Sequence, residues 1–400
     1  MALQDDFIQL DRWLKKHQAL WQFDSFAQLA IPWEGAYPEL AQYLQRVDFT
    51  QLDNVDFYHA VYLMEPSLIT PLDWQDNQRL NAPQKSIPSR RVPSYFSTGI
   101  KGRKWAQIDA FVRQTPLAKN YLEWCAGKGH LGKLLAYQSG HPVHSIEWQK
   151  TLCEAGVKES QRLQLEQKFS QVDVLKDAGV DALSNTDCVV ALHACGDLHR
   201  RLLKQATAAK VGQLCLSPCC YHLTSDAVYQ PLSQLATSSL LSLRKADLKL
   251  AVKEVATAGE REKRLRKLEL TYRLGFDLWQ REVRCKDEYL PLPSVQKSLL
   301  TQGFDRFCEW AADQKGLSEA LTQTPIADFE NGGEQRYQEV QKIEAISQLF
   351  RPALEYWLIL DRALFLEEQG YQVEIGRFCN KELTPRNWFI RAQKDTPECI

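Results

Sequence analysis

Between Leu122 and Gly132 the chain reads LEWCAGKGHLG, with Gly127, Gly129 and Gly132 at G-x-G-x-x-G spacing. Glycines so spaced let a ligand approach bare backbone, because a side chain there would fill the space. A short apolar run precedes them and the amphipathic stretch HLGKLLAYQ follows, so the motif falls at a strand-to-helix turn. Glu147 ends the next apolar run, VHSIEW, about 20 residues on, where a carboxylate accepts hydrogen bonds from both hydroxyls of a ribose. Asp173 ends a third run and is placed to accept from an adenine amino group. Together these residues point to a nucleotide-bearing cofactor.

Glu123 distinguishes among such cofactors. A dinucleotide sets its pyrophosphate on the helix N-terminus, where an anion is favoured. Here the first strand ends in a carboxylate expected to point at that pocket. Negative charge there repels pyrophosphate but suits the amino group and sulfonium of S-adenosylmethionine. The alternative, an NAD-dependent oxidoreductase, is the reading that Glu123 argues against.

Two further motifs, LHACGD and SPCCYH, end the fourth and fifth predicted strands. In an open α/β sheet, ligands bind beyond the carboxyl ends of the strands, which makes these the expected reaction centre. Methyl transfer from a sulfonium asks for an aligned nucleophile and, in some cases, removal of its proton. His193, Asp197, Tyr221 and His222 are the candidate bases or orienting groups, and each is also a candidate for an ordinary structural role. Cys220, in a Pro-Cys-Cys step, raises covalent thiolate addition to a pyrimidine. Zinc on Cys215, Cys219, Cys220 and His222 is set aside, because C-x3-C-C-x-H is not the usual ligand spacing and alternate strand residues face opposite ways. The reading adopted is small thiols lining a substrate pocket, with no metal.

Strand and helix textures alternate from Lys119 to Thr224, which argues for a parallel, doubly wound sheet. The chain then reads as mostly helix to Leu366, and YQVEIGRF and NWFIRAQK predict an antiparallel hairpin at the sheet edge. The expected organisation is an N-terminal helical region (1–76) and a basic lead-in (77–118). A Rossmann-like domain follows (119–224 plus 354–396), interrupted by a helical insertion (225–353) that is a candidate for substrate recognition.

The sequence resembles the class I, seven-stranded methyltransferases. Within them it is similar to the RRNAD and methyltransferase-like branch and to the methyltransferase part of glutathione S-transferase C-terminal domain-containing proteins. A tRNA 2′-O-methyltransferase family is a more distant likeness. The stretches that carry the resemblance are RRVPSYFSTGIKGRKWAQI, LEWCAGKGHLG, VVALHACGDL, SPCCYHLTSD and LDRALFLEEQGYQVEIGRF with LTPRNWFIRAQK. It implies that Glu123, Cys125, Ala126, Gly127, Gly129 and His130 wrap the methionine end of the cofactor. It further implies that Glu147 holds the ribose and Asp173 the adenine, and that His193 to Asp197 form the strand-four edge of the site. Cys125 stands where many members carry the first glycine, which implies a tightened turn.

The bulk properties fit an enzyme of the soluble phase. In 400 residues, 44% are hydrophobic and 25% charged, with no apolar run of the ~20 residues that a bilayer needs. No secretory leader is read at the start, and eleven scattered cysteines fit free thiols in a reducing cytoplasm. The net charge of −1 hides a polarised chain: residues 77–108 hold seven Lys/Arg and no acid, and 245–286 hold twelve against seven. Basic residues interleaved with Tyr272, Phe276 and Trp279 suggest phosphate binding and base stacking. The expected substrate is therefore RNA (tRNA or rRNA). The alternatives are a protein of the translation machinery, and a non-catalytic cofactor-binding module of an assembly. No stable partner is inferred.

Overall fold

The computed structural model describes residues 2–52, 54–72, 80–83, 85–176, 179–253 and 260–394. Arg79, at the head of the acid-free stretch, and Cys399 lie outside them. The chain divides into two compact units: Met1–Lys15 with Thr70–Val252 and Arg351–Ile400, and Lys16–Ile69 with Lys253–Phe350. The expected helical region over 1–76 is thus shared, its first helix (Ala2–Lys16) going with the first unit. Residues 225–252, read above as the start of the insertion, also belong to the first unit.

The first unit is built on seven strands: β1 (Tyr121–Trp124), β2 (Val143–Glu147), β3 (Gln167–Gln171), β4 (Cys188–Cys195), β5 (Gln213–Cys219), β6 (Tyr371–Arg377) and β7 (Trp388–Lys394). Their order is β3-β2-β1-β4-β5-β7-β6. The first five run parallel, and β7 enters antiparallel between β5 and β6. This is the expected Rossmann-like sheet with its C-terminal hairpin. The order reverses between β1 and β4, the switch point where ligands bind in such sheets.

Apolar residues at helical spacing explain the covering layer. Ile108, Phe111 and Val112 of α1 (Gly102–Gln114) pack with Leu131, Leu134 and Leu135 of α2 (His130–Ser139) over Tyr121, Val143, Val190 and Cys215 of the sheet. α3 (Lys150–Arg162) follows β2, α4 (Asp197–Ala208) follows β4, and α5 (Arg351–Glu368) precedes the hairpin. α5 is buried nearly throughout, and it carries Asp361 and Arg362, each wholly enclosed.

In the second unit, helix Glu260–Arg284 lies with helices Phe304–Lys315 and Phe329–Gln348. Tyr272, Phe276 and Trp279 form its core with Phe304 and Phe307, so the expected base-stacking platform is corrected. Their helical spacing served packing, the commoner use of such a stripe. The basic residues of this helix are in part committed as well: Arg281 pairs with buried Asp277 at 2.9 Å and Lys267 with Glu334 at 2.8 Å. Arg261, Arg264 and Arg266 remain exposed. Among the described residues the cysteines are free thiols, and no helix is long and apolar enough to cross a membrane.

Candidate active site

At the end of β1 the chain turns through left-handed conformations at Cys125 (φ 57°), Gly127 (φ 59°) and Gly129 (φ 68°), which is the N-cap of α2. A Cβ at Gly127 would meet nothing within 4 Å, which leaves that side open to a ligand. A Cβ at Gly129 would lie 2.3 Å from Phe169 of β3, and one at Gly132 would lie 2.5 Å from the Glu123 carboxylate. Gly127 therefore borders open space, while Gly129 and Gly132 let α2 sit down on the sheet. Ala126 ties the turn on both sides, its N–H donating to Ile146 and its carbonyl accepting from Gly129.

Glu147 accepts from the Gly127 N–H at 2.9 Å and from the Gln149 N–H at 3.1 Å, one bond to each oxygen. A carboxylate has about four lone-pair directions, so two remain for ribose hydroxyls. The next residue, Trp148, is 62% exposed, an open aromatic face beside Glu147 that an adenine ring could stack on. Sequence reasoning passed over it; the signal was a bulky aromatic directly after the acidic strand end. Asp173 lies two residues beyond β3, accepts from the Leu175 N–H at 3.2 Å and pairs with Lys176 at 3.4 Å. His130 opens α2 with Nδ1 buried and unpartnered, and burial lowers its pKa to about 4, so the ring is neutral.

Glu123 departs from its expected part. The β1–β2 register sets it against Ser145, whose hydroxyl donates to it at 2.6 Å, and only 3% of the residue is exposed. Burial pushes its pKa up to about 7, against the pull of Ser145 and of the Gly132 and Leu131 N–H groups. The carboxylate is turned under the start of α2 and shapes the loop from beneath, so direct repulsion of a pyrophosphate is not its contribution. Gln167 completes this support, donating to the Gly129 carbonyl and to Ser145, both at 2.9 Å.

The second cluster forms where β4 and β5 end. Their register shifts between Leu192 and Cys195, so that Cys195 comes opposite Cys219. His193 sits in this bulge at φ 66°, a strained conformation for a residue with a side chain. A buried network holds it there. Arg362 donates through Nε to His199 Nε2 at 2.9 Å, and His199 in turn donates from Nδ1 to the Ala194 carbonyl at 2.9 Å. The same guanidinium lies 4.8 Å from the centre of the Tyr221 ring. Gly196 closes the turn into α4, and a Cβ there would strike the Leu223 carbonyl at 1.9 Å.

These contacts separate the expected catalytic residues. Asp197 is engaged by Arg200 at 2.9 Å and by the Ser225 N–H at 2.8 Å, and it pins the loop after β5. Tyr221 is 2% exposed, its hydroxyl is buried without a partner, and burial drives its pKa up. His193 reaches the surface and makes a 3.0 Å bond from Nε2 to Gln107 Oε1. His222 is half-buried with Nδ1 unpartnered, and burial holds its pKa below the usual imidazole value.

Cys220 turns out of β5 at φ 47° and converges with Cys195 and Cys219. Hydrogen bonds from those two thiols hold the Cys220 thiol well below its ordinary pKa and push Cys219 up. Cys215 is elsewhere, in the core under α1 and α2, and Cys195 stands where the sequence reading had weighed Cys215. A cleft of about 700 Å³ runs along β2 and β3 from Asn120 and Pro142 to Asn185. It shares only Gln167 with the support of the glycine turn and none of the β4–β5 residues named above.

Residues 103–227 match a family described as a methyltransferase domain. Among solved structures, the chain is similar to the tRNA (uracil-54, C5)-methyltransferase of Pyrococcus abyssi in complex with S-adenosylhomocysteine, at 21% identity over 26% of this chain and 25% of that one, TM-score 0.22. It is also similar to an S-adenosylmethionine-dependent methyltransferase from Aquifex aeolicus, at 14% identity over 32% and 72%, TM-score 0.26. A third is an rRNA methylase from Streptococcus thermophilus, at 13% identity over 34% and 91%, TM-score 0.24. The chain thus spans a quarter of the length of the Pyrococcus enzyme. The family match runs from α1 through the glycine turn to the β4–β5 cluster. The match to a methyltransferase domain thus falls on the sheet whose seven-stranded order is that of the class I fold.

Proposed function

We propose that this chain is an RNA methyltransferase, acting on tRNA or rRNA at the carboxyl ends of β4 and β5. The observation that carries the substrate class is the charge at that edge. Burial first, and then the charges of Lys104 and Arg386, hold His193 below its ordinary pKa, so two cations bear on the reaction centre. Lys104 belongs to a run of exposed bases (Lys85, Arg90, Arg91, Lys101, Arg103, Lys104) with no acid among them.

That run is anchored to α2. The Gln138 amide bonds the backbone of Arg90 at 2.8 and 3.1 Å, and buried Lys133 donates to the Phe96 carbonyl at 2.8 Å. Tyr95, 50% exposed within the run, offers a stacking face. A fixed, acid-free basic track leading to the reaction centre suits a phosphate backbone.

S-adenosylmethionine supplies an electrophilic methyl on a sulfonium. The chain's own part is to hold the ribose on Glu147, to leave room beside Gly127, and to align the substrate base or ribose at β4–β5. His222, half-buried at this edge and held below the usual imidazole pKa by burial, is the residue we assign to take the proton from the nucleophile.

The test is transfer of tritium from labelled S-adenosylmethionine to total tRNA and ribosomes. The expected label is lost to ribonuclease and survives protease. Label that survives ribonuclease and is lost to protease would replace RNA with a protein substrate. Cofactor binding with no label in any fraction would favour a non-catalytic module.

A further inference from the structure

We propose that Cys195, Cys219 and Cys220, with His193 as fourth donor, form a zinc site at the joined ends of β4 and β5. The three sulfurs lie within 4.8 Å of one another, and those of Cys195 and Cys219 are 3.4 Å apart. Zinc–sulfur bonds of ~2.3 Å in a tetrahedron place neighbouring sulfurs about 3.8 Å apart, so the cluster closes on an ion with small side-chain shifts. Two backbone departures create it. The bulge at His193 brings Cys195 level with Cys219, and the left-handed turn at Cys220 returns a side chain that strand alternation would send to the far face.

The histidine is set in the tautomer that a ligand needs. Gln107 spends its N–H on the Leu383 carbonyl at 3.2 Å, which leaves its oxygen to accept from His193 Nε2 at 3.0 Å. His193 Nε2 therefore carries the hydrogen, and Nδ1, 3.9 Å from Cys219 Sγ, presents a bare lone pair. Three thiolates around Zn²⁺ leave a net negative charge, and the Arg386 charge bears on both Cys195 and Cys220. Binding releases one proton for each thiol still protonated. The ion would fix the strained strand ends beside His222, whatever substrate is methylated.

The experiment is metal analysis of the full chain, expressed with added zinc and purified without chelator, followed by cobalt titration of the zinc-free protein. The expected result is about one zinc per chain, with cobalt at one equivalent giving sulfur-to-metal charge-transfer absorption. Cys195→Ser and Cys220→Ser should lose both signals, and Cys285→Ser, an exposed thiol elsewhere, should keep them. Circular dichroism checks that each variant is folded, and the cobalt spectrum of the wild type needs no variant at all. Zinc below about a tenth of an equivalent with no charge-transfer band, or a folded Cys195→Ser that binds as wild type does, would overturn the site.

Discussion

At the β1–β2 edge, the left-handed backbone falls on two glycines, Gly127 and Gly129, and on one residue with a side chain, Cys125, and the inward carboxylates of Glu123 and Glu147 already have donors. His130 Nδ1 is the exception there. At the β4–β5 edge the left-handed positions fall on His193 and Cys220, while Tyr221 Oη, His222 Nδ1 and Arg386 Nε are buried without partners. The β1–β2 edge therefore keeps its carboxylates paired within the fold. The β4–β5 edge carries roughly 1–2 kcal/mol of backbone strain at each of its two non-glycine left-handed residues, held in place by the His199–Arg362 network. Strain and orphaned polar groups concentrate at the β4–β5 edge.

The largest expected effect comes from removing what holds the strained edge. Arg362→Ala strips His199 and Tyr229 of a fully buried partner, so a loss of about 4 kcal/mol is expected by urea denaturation. Methyl transfer should fall further than cofactor affinity, because the network reaches β4 and not the glycine turn. An equal loss of both would erase the distinction between the edges.

Gly127→Arg fills the open side of the turn, where no atom lies within 4 Å of the Cβ position, at a cost of about 1 kcal/mol for a side chain at φ 59°. Calorimetry should show S-adenosylmethionine affinity down at least ~100-fold, about 2.7 kcal/mol, and Glu147→Ala should do the same. Undiminished binding in both would mean that the pocket is elsewhere.

Glu123 gives a pH signature. Its carboxyl keeps its proton to about pH 7 in the folded chain, against an ordinary value of 4.5. The folded state therefore binds more protons through that window, and stability falls as pH rises from 4.5 towards 7. Glu123→Gln should flatten this slope by about 2 kcal/mol between pH 5 and pH 8, allowing for the altered Ser145 bond. An unchanged slope would show that the carboxylate is solvated.

The smallest effect compares two left-handed residues. Lys210, exposed just beyond α4, has φ 55° and lies outside the site, so Lys210→Gly should add about 1 kcal/mol and leave methyl transfer unchanged. Cys220→Gly relieves the same strain yet should lose methyl transfer. Full transfer in that variant would remove Cys220 from the site.

Legibility in the sequence divides along the same line. The glycine spacing, Glu147 and the strand–helix alternation are local patterns, and each reads out directly in the fold. Glu123 was placed on the right strand, but its direction depends on Ser145 in the neighbouring strand, a register that no local pattern encodes. Cys195 meets Cys219 only because β4 bulges, so the ligand set that spacing offers, and that was set aside above, holds Cys215 in its place. Arg362 reaches His199 across 163 positions, beyond any motif. Tyr272, Phe276 and Trp279 stand at helical spacing, which favours core over a stacking platform, and core is what they form.

The most direct test of the central claim is calorimetric titration of the purified chain with S-adenosylmethionine, S-adenosylhomocysteine and NAD. Binding of the first two near one equivalent, with no heat from NAD and loss of binding in Gly127→Arg, is the predicted result. Binding of NAD alone would contradict the cofactor assignment and, with it, the reading of the β1–β2 edge.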